Sequence, residues 1–470
     1  MRVAIRGGSI VQGDAVSRTD LLIEDDRIAH VGNLDGVSSD VTLDASDCYV
    51  MPGGIDVHTH MEYPVAGFTA WTQDDFEAGT LAAAAGGTTT IVDFVKVAPD
   101  ATLRDTFDKR RRRIEECARI DVGLHVIIPG GQTHGDLEGD LAYVVSEGVT
   151  SWKFFMAYPG LMLDDSQMLR GFELARDHGV MVMVHAENGH MVAHDTAALL
   201  AEGHAAEANH ALAHSDASET EAVNRAITLA EHVGVPLYVV HVSSANAAEL
   251  IARRRSMGAK VFAETCPQYL TVSWEDYAAQ GALAAAYLCS PPIRERNNQE
   301  RLWGALESGG LDVVATDHAG FCLGGPDEPG TKMGSPGYFP GVPNGVPGVY
   351  ERLMVMWQSA VVERGMDVRR FVQACSTRPA QLFGIDHRKG ALLPGLDADV
   401  LVWDPNVTRT LRAGDTPLAS DYSIYDGMKV TGQPRHVVAG GRTLVVDGML
   451  QDVGPGGRYV KRASPSAPGM

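Results

Sequence analysis

Several features that define common protein classes are absent from this sequence. Its 470 residues contain no run of about 18 consecutive apolar residues, and the opening MRVAIRGGSIV has no apolar signal-peptide core. Basic residues are outnumbered, with 39 Lys and Arg against 60 Asp and Glu and a formal net charge of −21. Because phosphate binding needs surplus positive charge, we expect no nucleic-acid partner, and the missing apolar run predicts no membrane partner.

Cysteine is also scarce, with six residues and no CxxC pair. In a chain of this length, that usage predicts reduced thiols and not a disulfide scaffold. Together with the missing signal peptide, it predicts a cytoplasmic protein. The hydrophobic share of 45% and the charged share of 21% are ordinary for a globular chain. The length suits one large domain and one smaller domain.

Both ends of the chain carry short strand patterns separated by Gly and Asp turns. RVAIRG and LLIEDDRIAHVG lie near the start, and ADVLVWD and HVVAGGRTLVVDG lie near the end. We predict that 1–54 and 388–455 join in one small β-sandwich domain. The remaining segment, 456–470, is small and polar, and we expect a tail that is mobile at its end.

The middle of the chain, 55–387, alternates apolar runs with amphipathic helical stretches. Eight such repeats predict an α/β fold, a parallel (β/α)₈ TIM barrel. The alternative is a doubly wound open sheet, but the Gly-rich phosphate turn that usually follows its first strand is absent. The eight predicted strands are IDVHTH (55–60), TTTIVDF (88–94), DVGLHVII (121–128), SWKFFMA (151–157), VMVMVHA (180–186), PLYVVHVS (236–243), KVFAETC (260–266) and DVVATDH (312–318).

Four histidines and one aspartate stand at the ends of predicted barrel strands. His58 and His60 follow the first strand, and their spacing of two points both imidazoles to one face. His185, His241 and Asp317 end the fifth, sixth and eighth strands. Carboxyl ends of barrel strands converge on one site, where imidazole and carboxylate ligands suit a borderline metal such as zinc. The alternative is a set of hydrogen-bonded core residues.

Lys153 interrupts the apolar run Trp152–Met156 on the fourth predicted strand. A lone ammonium facing a barrel core would be costly. One interpretation is a salt bridge to an interior carboxylate. The other is N-carboxylation by CO₂, which gives an anionic carbamate that can bridge two metals. With the strand-end residues, this second interpretation predicts a two-metal hydrolase site.

Two other histidine pairs and one basic run are weaker candidates for a functional site. His190 and His194, and likewise His210 and His214, are four residues apart on predicted helices but lack the HExxH context of a zinc site. We expect surface or subunit-contact roles for them. The basic run Lys109–Arg113 predicts a solvated helix face.

A series of motifs runs along nearly the whole chain. It comprises MPGGIDVHTHMEYP, SWKFFMAYPG, VHAENGH, VHVSS, ETCPQYL, CSPPIR, ATDH and PNGVPG, followed by RKGALLPGLDADVLVWDP and GGRYVKR. In this order the motifs resemble the cyclic amidohydrolases of the hydantoinase and dihydropyrimidinase group. The resemblance implies an enzyme that opens the cyclic amide of hydantoins or dihydropyrimidines to N-carbamoyl amino acids, working as a homotetramer or a dimer.

The resemblance also implies roles for single residues. Six positions match metal ligands: His58, His60 and Asp317 for one ion, His185 and His241 for a second, and carboxylated Lys153 bridging both together with a hydroxide. Zn²⁺ is the expected ion, with Mn²⁺, Co²⁺ or Fe²⁺ as alternatives, and CO₂ is needed for the carboxylation. Tyr158, Ser290 and Asn344 match positions that bind the ring amide. Tyr158 would donate to the oxyanion, and Asp317 would act as general base and then acid.

Loop residues narrow the substrate class. Dihydroorotases place Arg where this chain has Glu62, so a carboxylated ring is disfavoured. An apolar lining predicts an apolar or aromatic substituent on the ring. The segment 321–341 departs from the family pattern and leaves the exact substrate open. The predicted lining residues are Tyr63, Val65, Phe68, Phe155, Leu161 and Met162.

Two alternative functions remain open beside the D-hydantoinase or dihydropyrimidinase activity. One is another cyclic amidohydrolase, which is allantoinase-like or acts on a lactam or imide. The other is a non-catalytic scaffold, since the collapsin response mediator proteins share the fold but have lost metal ligands. Retention of all six ligand positions favours an enzyme.

Overall fold

The computed structural model describes residues 1–13, 15–65, 70–98, 100–130 and 134–466. Within these ranges, the start of the chain forms seven short strands. Four of them make one sheet in the order β5-β4-β1-β6. The strands are β1 (Arg2–Arg6), β2 (Ser9–Gln12), β3 (Ala15–Arg18), β4 (Asp20–Glu24), β5 (Arg27–Gly32), β6 (Val41–Asp44) and β7 (Tyr49–Pro52).

Eight parallel strands then follow, and each overlaps one of the eight predicted runs. They pair in sequence order from β8 to β15. A parallel bridge between Thr59 and His318, with a 2.8 Å bond from the His60 N–H to the His318 carbonyl, joins the first strand to the last. The predicted TIM barrel is therefore confirmed. Its strands are β8 (Gly54–Thr59), β9 (Thr88–Val95), β10 (Asp121–Ile127), β11 (Ser151–Phe155), β12 (Met181–His185), β13 (Leu237–Val239), β14 (Val261–Thr265) and β15 (Val313–Val314).

Helices connect the barrel strands, and local sequence sets their ends. The helix Asp165–His178 begins at Asp164, which forms a reciprocal capping box with Gln167, and ends at Gly179 with φ 66°. In the described ranges the helices are α1 (Phe76–Ala85), α2 (Leu103–Cys117), α3 (Leu137–Ser146), α4 (Asp165–His178), α5 (Gly189–Ala201), α6 (His210–Ala213), α7 (Asp216–Val233), α8 (Ala245–Ser256), α9 (Pro267–Thr271), α10 (Trp274–Tyr277), α11 (Gln299–Glu307), α12 (Arg352–Met356), α13 (Val368–Val372) and α14 (Arg378–Leu382).

The barrel interior is a packed core and not a pore. Val57, Phe94, Met183, Tyr238 and Phe383 are among the buried side chains that fill it. Among helices of the described ranges, none combines the length and the apolar character needed to cross a membrane.

The end of the chain returns to the start, as the strand patterns predict. Strands β16 (Val400–Thr410), β17 (Lys429–Ala439), β18 (Arg442–Val446) and β19 (Met449–Leu450) join β7, β2 and β3 in a seven-stranded sheet. A buried apolar cluster contains side chains from both sheets, including Ile5, Ile23, Val50 and Val402. The domain limits proposed from the sequence stay predictions.

The last described segment, 456–466, lies along the barrel. The Val460 N–H donates to the Val122 carbonyl at 2.9 Å, and Tyr459 forms a bridge with the same residue of β10. The remainder of the predicted tail, 467–470, lies outside the described residues. Up to residue 466, the polar C-terminal segment is therefore hydrogen-bonded to the barrel.

Candidate active site

His58, His60 and Asp317 converge at the carboxyl ends of β8 and β15. The Nε2 atoms of His58 and His60 each lie 3.1 Å from Asp317 Oδ1. Potential ligand atoms of the three residues all lie within 4.8 Å of one another. His58 Nε2 is buried and has no hydrogen-bond partner among the described residues. A buried, unpartnered imidazole nitrogen beside a carboxylate fits a metal ligand.

His185 and His241 form a second histidine pair beside the first group. Their Nδ1 and Nε2 atoms lie 2.9 Å apart, and the His241 ring is 5.4 Å from the His58 ring. Burial lowers the pKa of both His185 and His241. Both rings are therefore neutral near pH 7, which is the form that binds a metal.

Lys153 faces the same cavity from β11. Its side chain is buried, and its Nζ lies 5.1 Å from the Phe94 ring centroid and 5.3 Å from that of Phe155. Within the described part of the chain, no carboxylate oxygen lies within 4.0 Å of this nitrogen, so the salt-bridge interpretation has no partner. Burial lowers the pKa of Lys153 to about 8, so a fraction of the amine is neutral and nucleophilic near neutral pH.

The backbone is strained where strands turn into this site. Tyr158, His241 and Asp317 have φ values of 71°, 40° and 54°. Left-handed backbone at residues other than glycine costs about 1–3 kcal/mol each and is concentrated at functional sites. The surrounding fold therefore holds these three side chains in directions that a relaxed strand end would not give.

One cavity brings the predicted ligand and substrate residues together. Burial raises the pKa of the Tyr158 hydroxyl, while the neighbouring Ser290 and Asn344 side chains oppose that rise. Tyr158 therefore remains a protonated donor beside two polar side chains. The cavity is lined by His58, His60, Tyr63, Val65, Thr72, Lys153, Phe155, Tyr158, Leu161, His185, His241, Ser290, Asp317, Ala319, Phe321, Asn344 and Gly345.

Two residues of the predicted apolar lining need separate treatment. Met162 is not among the described residues that line the cavity, and its predicted contact with substrate stays a prediction. Its backbone bridges to Phe155, and its sulfur packs at Gly189, where an added Cβ would meet it at 2.8 Å. The neighbouring Leu161 faces the cavity instead. Phe68 lies outside the described residues.

Glu264 is a site residue that the sequence analysis missed. It is fully buried on β14, where it contacts His58 Nδ1 and accepts from the Tyr238 hydroxyl at 2.8 Å and the His241 N–H at 3.1 Å. A carboxylate on the far nitrogen of a ligand histidine fixes its tautomer and orientation. The signal was present, because Glu264 interrupts the apolar run VFAETC as Lys153 interrupts its own.

Glu187 likewise fixes the orientation of His185. It also contacts His214, which belongs to the pair His210 and His214 that was predicted to have a surface or subunit-contact role. Its Oε2 lies 3.0 Å from His185 Nε2, and its Oε1 lies 2.9 Å from His214 Nδ1. His210 contacts the Cys289 carbonyl at 2.9 Å. The predicted surface role of His210 and His214 is therefore wrong, since both are buried against the site's supporting residues.

His190 and His194 differ from this pair, because both are exposed on helix α5.

The basic run on α2 also differs from expectation at one position. Arg110 is largely buried, contacts the Met61 carbonyl, and lies 2.5 Å from Asp93 Oδ1. Asp93 accepts from the Thr59 hydroxyl and the Met61 N–H, both at 2.8 Å. Arg110, with Asp93, thus supports the Thr59 hydroxyl and the Met61 backbone on either side of His60, so the solvated-face interpretation is wrong for this residue.

A TIM barrel with a His/His/Asp cluster, a second histidine pair and a buried lysine at its strand ends defines a class, the barrel hydrolases that can hold metal. Residues 49–444 match the model of the amidohydrolase family. D-hydantoinases of Streptomyces coelicolor and Geobacillus stearothermophilus are 39% and 41% identical, covering 98% of this chain and 98% and 97% of theirs. The crystal structure of a dihydropyrimidinase from Brevibacillus agri aligns with TM-score 0.93, 36% identity and 100% coverage of both chains. The chain belongs to the amidohydrolase family, in its hydantoinase and dihydropyrimidinase group.

Proposed function

We propose that this protein hydrolyses the cyclic amide bond of hydantoins or dihydropyrimidines to give N-carbamoyl amino acids. The observation that carries the proposal is one cavity that holds the six candidate metal ligands together with Tyr158, Ser290 and Asn344. The names of the full-length relatives support the same reaction.

The proposed cofactors are two divalent ions, with Zn²⁺ favoured by the histidine-rich donors and Mn²⁺, Co²⁺ or Fe²⁺ as alternatives. His58, His60 and Asp317 would hold one ion, His185 and His241 the other, and Lys153 carboxylated by CO₂ would contact both. Buried nitrogens without a partner on His58 and His241 support this set. When bound, two such ions supply Lewis acidity at the ring carbonyl and acidify water.

Protein side chains would move the protons of the reaction. Burial raises the pKa of Asp317, but His58 and His60 lower it further, so its pKa lies well below the ordinary value. The carboxylate is therefore ionised and can accept the proton of the attacking water. It would then return that proton to the leaving ring nitrogen as the C–N bond breaks. Tyr158 stays protonated and would donate to the oxyanion.

The residues that line the cavity also support a preference for certain ring substituents. Ser290 and Asn344 offer a hydroxyl and an amide for the ring amide, while Tyr63, Val65, Phe155 and Leu161 supply the apolar wall. Polar groups fix orientation in such sites, and apolar walls accept the substituent. We therefore propose rings bearing an apolar or aromatic substituent.

The test combines metal analysis with a substrate panel. Purified protein should hold about two metal ions per chain and open 5-substituted hydantoins or dihydrouracil faster than allantoin or dihydroorotate. Elemental analysis and the release of the N-carbamoyl product measure both. Absence of metal, combined with no ring opening after Zn²⁺ or Mn²⁺ is added, would contradict the enzyme proposal and favour a scaffold. Turnover of allantoin alone would favour the allantoinase-like alternative.

We further propose a cytoplasmic homotetramer. All six cysteines are unpaired, which suits a reducing compartment. Helix α5 has no fully buried residue: Val192 is half-buried, and Leu199 and Leu200 are only partly covered by the apolar cluster around Phe339. A helix whose apolar side chains are incompletely covered by its own chain is typical of a subunit contact. Sedimentation of the purified protein would measure the assembly, and a monomer at all concentrations would contradict it.

A further inference from the structure

Lys332 is a fully buried lysine whose ammonium faces carbonyl oxygens. It lies in the Gly- and Pro-rich segment 321–341. Its Nζ donates to the main-chain carbonyls of Leu288 at 2.7 Å, Pro343 at 2.9 Å and Gly345 at 2.9 Å. An ammonium has three N–H donors, so these bonds use all of them.

No acidic group balances this charge nearby. In the described ranges, no carboxylate oxygen lies within 4.0 Å of Lys332 Nζ, and the ring centroid of Phe321 lies 5.7 Å away. Burial lowers the pKa of Lys332 to about 7. Burying an ammonium without a counter-charge opposes folding, so stability alone is a poor explanation for this residue.

The three carbonyls belong to the two loops that carry substrate residues. Leu288 lies two positions before Ser290, while Pro343 and Gly345 flank Asn344. The loops also contact each other, because the Gly345 N–H donates to the Leu288 carbonyl at 3.0 Å. Ser290 and Asn344 both face the cavity. Lys332 therefore joins the two backbones behind these side chains.

We propose that Lys332 is a positioning residue for substrate recognition, which holds loops 288–290 and 343–345 at the spacing that lets Ser290 and Asn344 bind the ring amide. The inference rests on the proposed function. The hydrogen bonds of Lys332 reach none of the six candidate metal ligands. Its effect therefore falls on affinity for the ring and not on the metal centre.

The test compares Lys332→Met with Lys461→Met, a control at an exposed lysine paired with Glu147. In Lys332→Met the Pro343 and Gly345 carbonyls lose their donor, so the KM for a 5-substituted hydantoin should rise about tenfold or more. The kcat should change less than about threefold, because uniform binding is what is lost. Metal content should equal that of the wild type. The preference between phenyl and methyl substituents should persist, since Phe155 and Leu161 are not held by Lys332.

A second variant and a second measurement keep the test independent of activity. Lys332→Gln retains two N–H donors on a shorter, neutral side chain, so its KM should be intermediate. Hydrogen–deuterium exchange without substrate should be faster in Lys332→Met for peptides that contain 288–290 and 343–345, with barrel strands unchanged. An inactive wild type would overturn the proposed ring-opening function alone, and the exchange comparison would then decide on Lys332.

Three results would overturn the positioning role. The first is a KM within about twofold of wild type in both variants, since lost hydrogen bonds of this kind weaken binding by more. The second is unchanged exchange in both loops. The third is loss of metal or failure of both variants to fold, because Lys332 would then serve the metal centre or the fold and not ring affinity.

Discussion

Single charged residues inside apolar strands carry most of the information about this site. Lys153 on β11 and Glu264 on β14 are both fully buried, yet Glu264 uses its oxygens on His58, Tyr238 and the His241 backbone. Lys153 has no carboxylate within 4.0 Å in the described ranges. As a cation it would repel bound metal, whereas a carbamate would attract it. Glu264 therefore already has its hydrogen-bond partners, whereas Lys153 would gain metal partners only after carboxylation.

Replacing Lys153 with alanine tests this argument directly. Lys153→Ala removes the proposed carbamate, so ring opening should fall by more than about 100-fold, beyond the loss typical of a residue that only supports a ligand. Short carboxylic acids such as acetate or propionate should restore part of the activity by supplying a carboxylate. Steady-state rates and metal content with and without the acid are the measurements. Lys461→Ala is the matched control, and an unaffected Lys153→Ala enzyme would exclude the bridging role.

At the scale of elements, the first turn of α7 holds the loop that follows His241. Glu219 accepts from the N–H groups of Ser243 and Ser244 at 2.9 and 3.1 Å and from the Ser243 hydroxyl at 2.7 Å. Arg294 completes the arrangement, with its Nη2 2.6 Å from Glu219 Oε2. A helix terminus thereby fixes the strained turn at His241 through a buried carboxylate.

Arg294→Met should be strongly destabilising, because it leaves Glu219 buried without its counter-charge. Removing one partner of a buried ion pair costs about 3–5 kcal/mol, whereas a surface pair contributes about 0–1 kcal/mol. Arg301→Met, which breaks an exposed pair with Glu249, is the control. Thermal unfolding of both variants measures the difference. Equal midpoints would show that the buried pair contributes no more than the exposed one.

The strands, turns and loops also show which features of the structure the sequence patterns could predict. All eight barrel strands were predictable because each is an apolar run bounded by polar turns. Ligand candidates followed from their strand-end positions. The lining role of Met162 stays a prediction, because the residue lies in a tight turn beside Leu161 and periodicity does not describe turns. His210 was misplaced because its burial depends on the Cys289 loop, 79 residues away, which no local pattern reports.

At the scale of the whole molecule, one buried lysine joins the barrel to the sheet domain. Lys389 Nζ lies 3.0 Å from Asp121 of β10 and 3.3 Å from Asp397, and it also contacts Asp399 just before β16. Arg458 of the C-terminal segment lies 3.0 Å from Asp121. The active site lies at the opposite, carboxyl end of the strands, so this cluster serves the association of the two domains.

Lys389→Met should therefore weaken the fold in a pH-dependent way. Burial raises the pKa of Asp121, but Lys389 and Arg458 lower it further, to about 2. A carboxyl whose folded pKa lies below its unfolded value of 3.8 contributes stability above that value, which is lost as the pH falls towards 2.

In Lys389→Met the three carboxylates of Asp121, Asp397 and Asp399 repel one another, and their pKa values rise. The loss should thus be largest near pH 7, about 3–5 kcal/mol, and shrink as the pH falls towards 4 and the carboxyls gain protons. Unfolding midpoints of Lys389→Met and Lys461→Met across this range measure the effect, and a deficit that stays constant with pH would contradict an electrostatic origin.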